Sequence, residues 1–166
     1  MSLVALKVDD RAVVSAFDRL AKFGQDQSVA TARIAQQMLR STEDNFANEG
    51  RPKWAPMARS TRAQRGAGAK LLQKSGKLAA SITPFSTSNT AGVGTNRKYA
   101  IYQQNKTRPH IIKPKNKKAL YWLGAGHPVK QVNHPGTPAR PFFNLTDQDK
   151  LDIVAIINQH IRSIAG

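Results

Sequence analysis

From Gly50 to Thr146 the chain holds no Asp or Glu, yet eighteen of its 26 Lys and Arg residues fall in that stretch. The flanks are nearly balanced: residues 1–49 carry six basic and seven acidic side chains, and residues 147–166 carry two and three. The net charge of +16 is therefore gathered in one central block of a small protein. A surface so positive repels copies of itself unless polyanions or acidic partners screen it. The chain is expected to work beside something strongly negative.

At 166 residues the length fits a single domain, 1–166. A chain of that size buries roughly 70% of its unfolded surface without staples. The chain has no Cys, so it has no disulfide framework and no thiolate metal site, which suits a reducing cytosol. No apolar run approaches the roughly 18 residues of a membrane-spanning helix, and the first ten residues lack a signal-peptide core. A soluble protein with no membrane partner is expected.

Four segments organise the chain: an N-terminal strand and helices over 1–50, a basic extended segment over 51–80, a β-rich region over 81–145 and a closing helix over 146–166. Leu3–Val8 is a short apolar run that reads as a first strand. Asp9 and Asp10 offer an N-cap to a helix striped by Val13, Val14, Phe17, Leu20 and Ala21, ending at Gly24. A second helix, Asp26 to Asn48, places Val29, Ala32, Ala35, Met38, Leu39, Thr42 and Phe46 along one face. Its length is about 35 Å, and Gly50 is a natural stop.

From Arg51 the periodicity is lost, and Pro, Gly and cations predict an extended, partly mobile segment with one helical turn near Ser60–Gln64. A short helical piece at Leu71–Leu78 follows. Strand-like runs come next at Ser81–Phe85, Ala91–Thr95, His110–Lys113, Ala119–Leu123 and Val129–Asn133. The chain closes with a helix: Thr146 as N-cap, Asp149 completing a capping box, then Leu151, Val154, Ile157, Ile161 and Ile164 as a stripe. The sum is an α+β domain, with an N-terminal helical pair and a C-terminal helix packed on a small antiparallel sheet or partial barrel with long basic loops.

Enzyme signals are poor. All ten carboxylates lie outside the central block, where helix caps and solvated faces account for them. His110, His127, His134 and His160 have no short ligand spacing, and His127 and His134 each precede a Pro in a turn-rich stretch. Gly92-Val93-Gly94 has no following helix, and Gly76-Lys77-Leu78 lacks the rest of a P-loop. No catalytic residue, metal site or cofactor is expected, and a phage nuclease or muramidase is disfavoured.

The basic block carries the signal. Lys113, Lys115, Lys117 and Lys118 run directly into Tyr121 and Trp122, and cations beside aromatics can bind nucleic acid by phosphate contact plus stacking. For the two aromatics, the core and edge of a strand is the preferred reading. Arg59, Arg62 and Arg65, continued by Lys70, Lys74 and Lys77, could track a phosphate backbone or equally dock acidic residues. No sequence-specific DNA-reading motif is present. Trp54, between Pro52 and Pro56, either plugs the domain's own core, the preferred reading, or anchors a neighbouring subunit. Before the last helix, Arg140 is caged between Pro138 and Pro141 as a fixed salt-bridge or phosphate contact. Phe142 and Phe143 are expected to pack against that helix.

Taken in order, these segments resemble the phage virion morphogenesis family, the family of Mu-like tail-completion proteins. The pattern runs from the helical pair ending at Phe46, through Pro52-Lys53-Trp54 with Ser60-Thr61, to Leu72, Ser75-Gly76-Lys77-Leu78 and Ile82. It continues with Val93-Gly94-Thr95, Tyr99-Ala100 with Tyr102-Gln103, and Pro138-Ala139-Arg140-Pro141-Phe142. The stretch from His110 to His134-Pro135-Gly136 also resembles a related family of small phage tail components. One departure stands out: such sequences usually carry a Gly that closes the turn after Tyr99-Ala100, and Asn105 stands near that place, where a left-handed turn is expected to be kept.

The resemblance implies a non-enzymatic virion protein of the head–tail junction or upper tail, present in the host cytoplasm during assembly. Its implied partners are other copies in a ring (a hexamer is expected), neighbouring neck or tail proteins, and genome DNA in the lumen. It assigns no binding residues. The alternative from another class is a nonspecific nucleic-acid-binding protein using the same lysines.

Overall fold

The computed structural model describes residues 11–122 and 125–165. The predicted strand at Leu3–Val8 and the Asp9–Asp10 cap lie outside them. In chain order the elements are α1 (Arg11–Gln25), α2 (Ser28–Ala47), α3 (Arg59–Arg65), a 3₁₀ turn (Ala79–Ser81), β1 (Ile82–Ser86), β2 (Ala91–Thr95), α4 (Ala100–Gln104), β3 (His110–Ile112), β4 (Val132–His134) and α5 (Asp147–Ala165). The class is α+β, as the sequence predicts. Among the described residues the strands make two separate two-stranded sheets, β1 with β2 and β3 with β4, and no closed barrel. Of the predicted strand at Ala119–Leu123, Leu123 lies outside the described residues, and the rest keeps one bridge, Leu120 with Val129.

The chain divides into two compact units: residues 1–39, 84–94 and 145–166 form the first, and residues 40–83 and 95–144 the second. In the first unit α1 packs on α5. The first half of α2 is tied to α5 by Arg33 Nη2, which donates to Gln159 Oε1 (2.7 Å), and by Gln37 Nε2, which donates to Asp152 Oδ2 (3.1 Å). Its start is held by the Ser28 amide donating to Asp26 Oδ1 (2.9 Å). The β1–β2 turn closes on the same helix, where Thr31 Oγ1 donates to the Thr87 carbonyl (2.6 Å) and the Gln27 amide to that of Ser88 (2.9 Å). The Phe85 ring lies over Gly92, where a Cβ would strike it.

α5 begins with the capping box read from sequence. The Thr146 amide donates to Asp149 Oδ2 (2.8 Å), and the Asp149 amide to Thr146 Oγ1 (3.2 Å). The predicted stripe is only partly right, because Ile153, Ile156, Ile157 and Ile161 are half-buried while Leu151 and Val154 are exposed. Gly24 does not end the first helix, which runs one residue further.

In the second unit the core is built on the C-terminal half of α2. Phe142 is fully buried and packs against Phe46 (ring centroids 5.4 Å), which takes Trp54 edge-on (5.8 Å). Trp54 Nε1 donates to the Pro141 carbonyl (3.2 Å). The ring of Phe142 thus meets α2, and Phe143 lies beside it at 4.5 Å. Gly50, at φ +97°, turns the chain so tightly that a Cβ there would come within 2.6 Å of the Pro52 carbonyl oxygen.

A polar knot closes the same core. Asn45, with no solvent exposure, donates through Nδ2 to the carbonyls of Phe142 (2.9 Å) and Asn144 (2.7 Å) and accepts from Arg51 Nε (3.0 Å). Arg51 Nη2 also reaches the Ser41 carbonyl and hydroxyl, both at 2.9 Å. The predicted helical piece at Leu71–Leu78 is absent. Leu72 sits at φ +57° and the Leu71 amide donates to Glu49 Oε1 (2.6 Å), so the chain bends there while Leu71 and Leu78 stay buried.

Candidate functional site

The charge is divided between the units as sharply as between sequence segments. The second unit carries nineteen Lys and Arg against three acidic residues, a net +16, and the first carries seven of each and is neutral. Every cation of the acid-free block belongs to the second unit.

An exposed arm in this unit is formed by residues 106–122 and 125–137. β3 and β4 pair antiparallel, His110 opposite His134 and Ile112 opposite Val132. The base is clasped by three bonds between Thr107 and Thr137: amide to carbonyl at 3.1 Å, hydroxyl to hydroxyl at 2.9 Å, and the Thr137 amide to Thr107 Oγ1 at 2.7 Å. Gly136, at φ +87°, fits against the Thr107 carbonyl where no Cβ could sit. Beyond β3 lie Lys113, Lys115, Lys117 and Lys118, all exposed, with no hydrogen bond or ion pair from their side chains among the described residues. Tyr121 and Trp122 follow, 68% and 44% exposed. The preferred reading of these two as a strand's core and edge is thereby corrected. Among the described residues the Leu120–Val129 bridge is the only strand pairing there, and both rings stay exposed.

The sequence missed the pairing of His110 and His134, whose rings face each other at 5.0 Å. Only the strand register brings residues so far apart together. His134 Nδ1 accepts the Gly136 amide (3.0 Å), and His110 Nδ1 bonds the Arg108 carbonyl (2.9 Å). The Nδ1 atom of each ring thus serves the arm's backbone, and among the described residues no third ligand joins them.

Arg59, Arg62 and Arg65 recur every third residue of α3, so they share a side of that short helix. Arg59 and Arg62 are exposed, whereas Arg65 Nη2 donates to the Lys70 carbonyl (2.9 Å). Arg140 donates through Nε to the Ala55 carbonyl (3.1 Å) and through Nη2 to that of Pro56 (3.2 Å). Partial burial holds its guanidinium below the ordinary arginine range. Between these parts runs an open cleft of about 560 Å³, walled by Met57, Leu72, Leu78 and Tyr99, with Arg65, Lys74 and Arg140 as its cations and no carboxylate in its lining.

Asn105 needs no left-handed backbone. It lies at φ −104°, extended, and its amide caps α4 by donating to the Ile101 carbonyl (3.0 Å). Gln104 Oε1 then accepts the amides of Phe142 (3.0 Å) and Phe143 (3.1 Å), which fixes the segment that presents Arg140.

The second unit gathers the whole net charge of a small α+β scaffold on a cation-rich surface. Residues 8–162 match the model of the phage virion morphogenesis family, and the chain belongs to that family. It is 30% identical over 150 residues to the Mu-like prophage FluMu G protein 2 of Haemophilus influenzae, spanning 90% of this chain and 89% of that one. No solved structure matches. The family is one of virion morphogenesis rather than an enzyme class, and the chain's role lies in building a phage particle.

Proposed function

We propose that the chain is a tail-completion or head–tail joining component that assembles as a closed ring, a hexamer, at the neck or upper tail of the particle. It acts as an adaptor. The arm bearing Lys113, Lys115, Lys117 and Lys118 is its principal contact with an anionic partner, supported by Arg59 and Arg62 on α3 and by the cleft that holds Arg65 and Arg140. The observation that carries this reading is that the four lysines, on an exposed arm whose base is clasped, have no hydrogen bond or ion pair among the described residues. Six copies gather about a hundred net positive charges, a concentration that only DNA or acidic neighbouring rings neutralise.

The test is cryo-electron microscopy of the intact particle. The expected outcome is a ring at the neck or tail end, with residues 113–118 against DNA or an acidic neighbour. Absence of the chain from mature particles would sink the reading.

One observation favours a second function, a free nonspecific nucleic-acid binder: Tyr121 and Trp122 are exposed beside the lysines, as stacking platforms are. Such a binder, making about six to ten phosphate contacts, loses roughly 10³ to 10⁵ in affinity between 50 and 200 mM salt. A ring held by packed interfaces keeps its assembly state across that range.

A further inference from the structure

The neutral unit has its own unexplained feature. On α1, Val14 and Phe17 are three residues apart and therefore share a face, and Phe17 is 67% exposed. On α5, Leu151 and Val154 have the same spacing, and Leu151 is 62% exposed. Both helices lie in the first unit and pack on each other. Single exposed apolar side chains are ordinary, but an exposed pair on one face of each helix marks two faces made to be covered.

Charge decides what covers it. A contact between copies through the second unit sets +16 against +16. The first unit has no net charge, and its helices carry exposed groups of both signs: Asp18, Arg19 and Lys22 on α1, and Arg162 on α5, where Asp147 and Lys150 pair with each other at 2.8 Å. Opposite charges can therefore meet around an apolar centre, the arrangement of a stable subunit interface. A strongly basic or acidic stranger gains little from a unit with no net charge, whereas a second copy meets it there without the repulsion that the other unit brings. We infer that copies of this chain join through the first unit, the Val14–Phe17 face of α1 on one copy against the Leu151–Val154 face of α5 on the next. This leaves the basic unit free for its anionic partner, and it rests on the ring reading above. Because the two faces differ, the contact is heterologous and can propagate around a ring.

The experiment measures the mass and self-association of the full-length chain by analytical ultracentrifugation, from 0.15 to 1 M salt. The expected wild-type result is an oligomer that persists or tightens as salt rises, since screening removes repulsion while apolar contact remains. Phe17→Glu and Leu151→Glu should each weaken self-association at least tenfold, while Lys117→Glu with Lys118→Glu leaves it standing. Mixing the two apolar-face variants should restore one contact, because each keeps the face the other has lost, giving dimers but no rings. Circular dichroism checks folding, and Phe17→Ser with Leu151→Gln replaces any glutamate variant that fails to fold.

The inference is overturned if both face variants assemble like the wild type. It is also overturned if the wild type stays monomeric while the face variants lose only their capture by another particle protein. A ring in the particle joined elsewhere would sink this inference alone. A chain missing from particles would sink the adaptor reading and leave the solution result interpretable.

Discussion

Single residues that bind the fold together were the hardest to see in the sequence. Asn45 lies on α2 and Arg51 in the segment that follows it. Their partners, the carbonyls of Phe142 and Asn144, stand 97 and 99 residues along the chain from Asn45. No local pattern encodes a bond across that separation. Replacing Asn45 with Ala strands those two carbonyls and the Arg51 Nε in a buried site, so it should cost about 2–3 kcal/mol. Urea unfolding checks this, and a loss under about 0.5 kcal/mol would show the knot to be dispensable. Asp26 supplies a pH-linked effect at the same scale. Its bond from the Ser28 amide, aided by the Ser28 side chain, favours the carboxylate and holds its pKa below the ordinary value. A depressed folded-state pKa contributes stability that is full above about pH 4 and is lost as pH falls through the folded value. Asp26→Asn keeps a capping side chain without that titration. Its melting temperature should therefore decline less than the wild type's between about pH 5 and pH 2.5.

At the level of elements, local chemistry was legible where it is self-contained. Thr146 and Asp149 satisfy each other within three residues, so the start of α5 could be read from the sequence alone. The face α5 buries could not. With Leu151, Ile153, Val154, Ile156, Ile157, Ile161 and Ile164 spread around it, periodicity admits more than one stripe. The short strands were placed within a few residues, but two hairpins cannot be told from one sheet until pairing is known. The arm's base belongs to this scale too. Gly136→Ala places a Cβ against the Thr107 carbonyl at a left-handed φ, which costs about 1–3 kcal/mol of backbone strain before any steric term. Because the clasp is local, the expected signature is faster amide exchange at Thr107 and Thr137 with the amides of α2 unchanged. Uniformly faster exchange would mean that the arm and the second unit's core unfold together.

Across the whole molecule, the acid-free block was plain in the sequence, but the partition that gives it meaning was not. The neutral unit is assembled from three separated segments, and only their convergence leaves the entire net charge on the other unit. That partition makes the nature of the proposed anionic partner decidable. Duplex DNA bound by the arm exchanges condensed counterions for lysines, so the slope of log affinity against log salt measures how many lysines touch phosphate. Replacing Lys113, Lys115, Lys117 and Lys118 by Ala should lower the magnitude of that slope by about 3–4 if all four contact the duplex, at about 0.9 per phosphate. An acidic protein partner carries no condensed counterion layer. Its affinity should fall with the same substitutions, while the salt slope changes by far less than the number of lysines removed. A duplex slope unaltered by the fourfold substitution would take the arm out of DNA contact. The exposed cations of α3, Arg59 and Arg62, would then be the next to replace, because they share one side of a helix in the same unit.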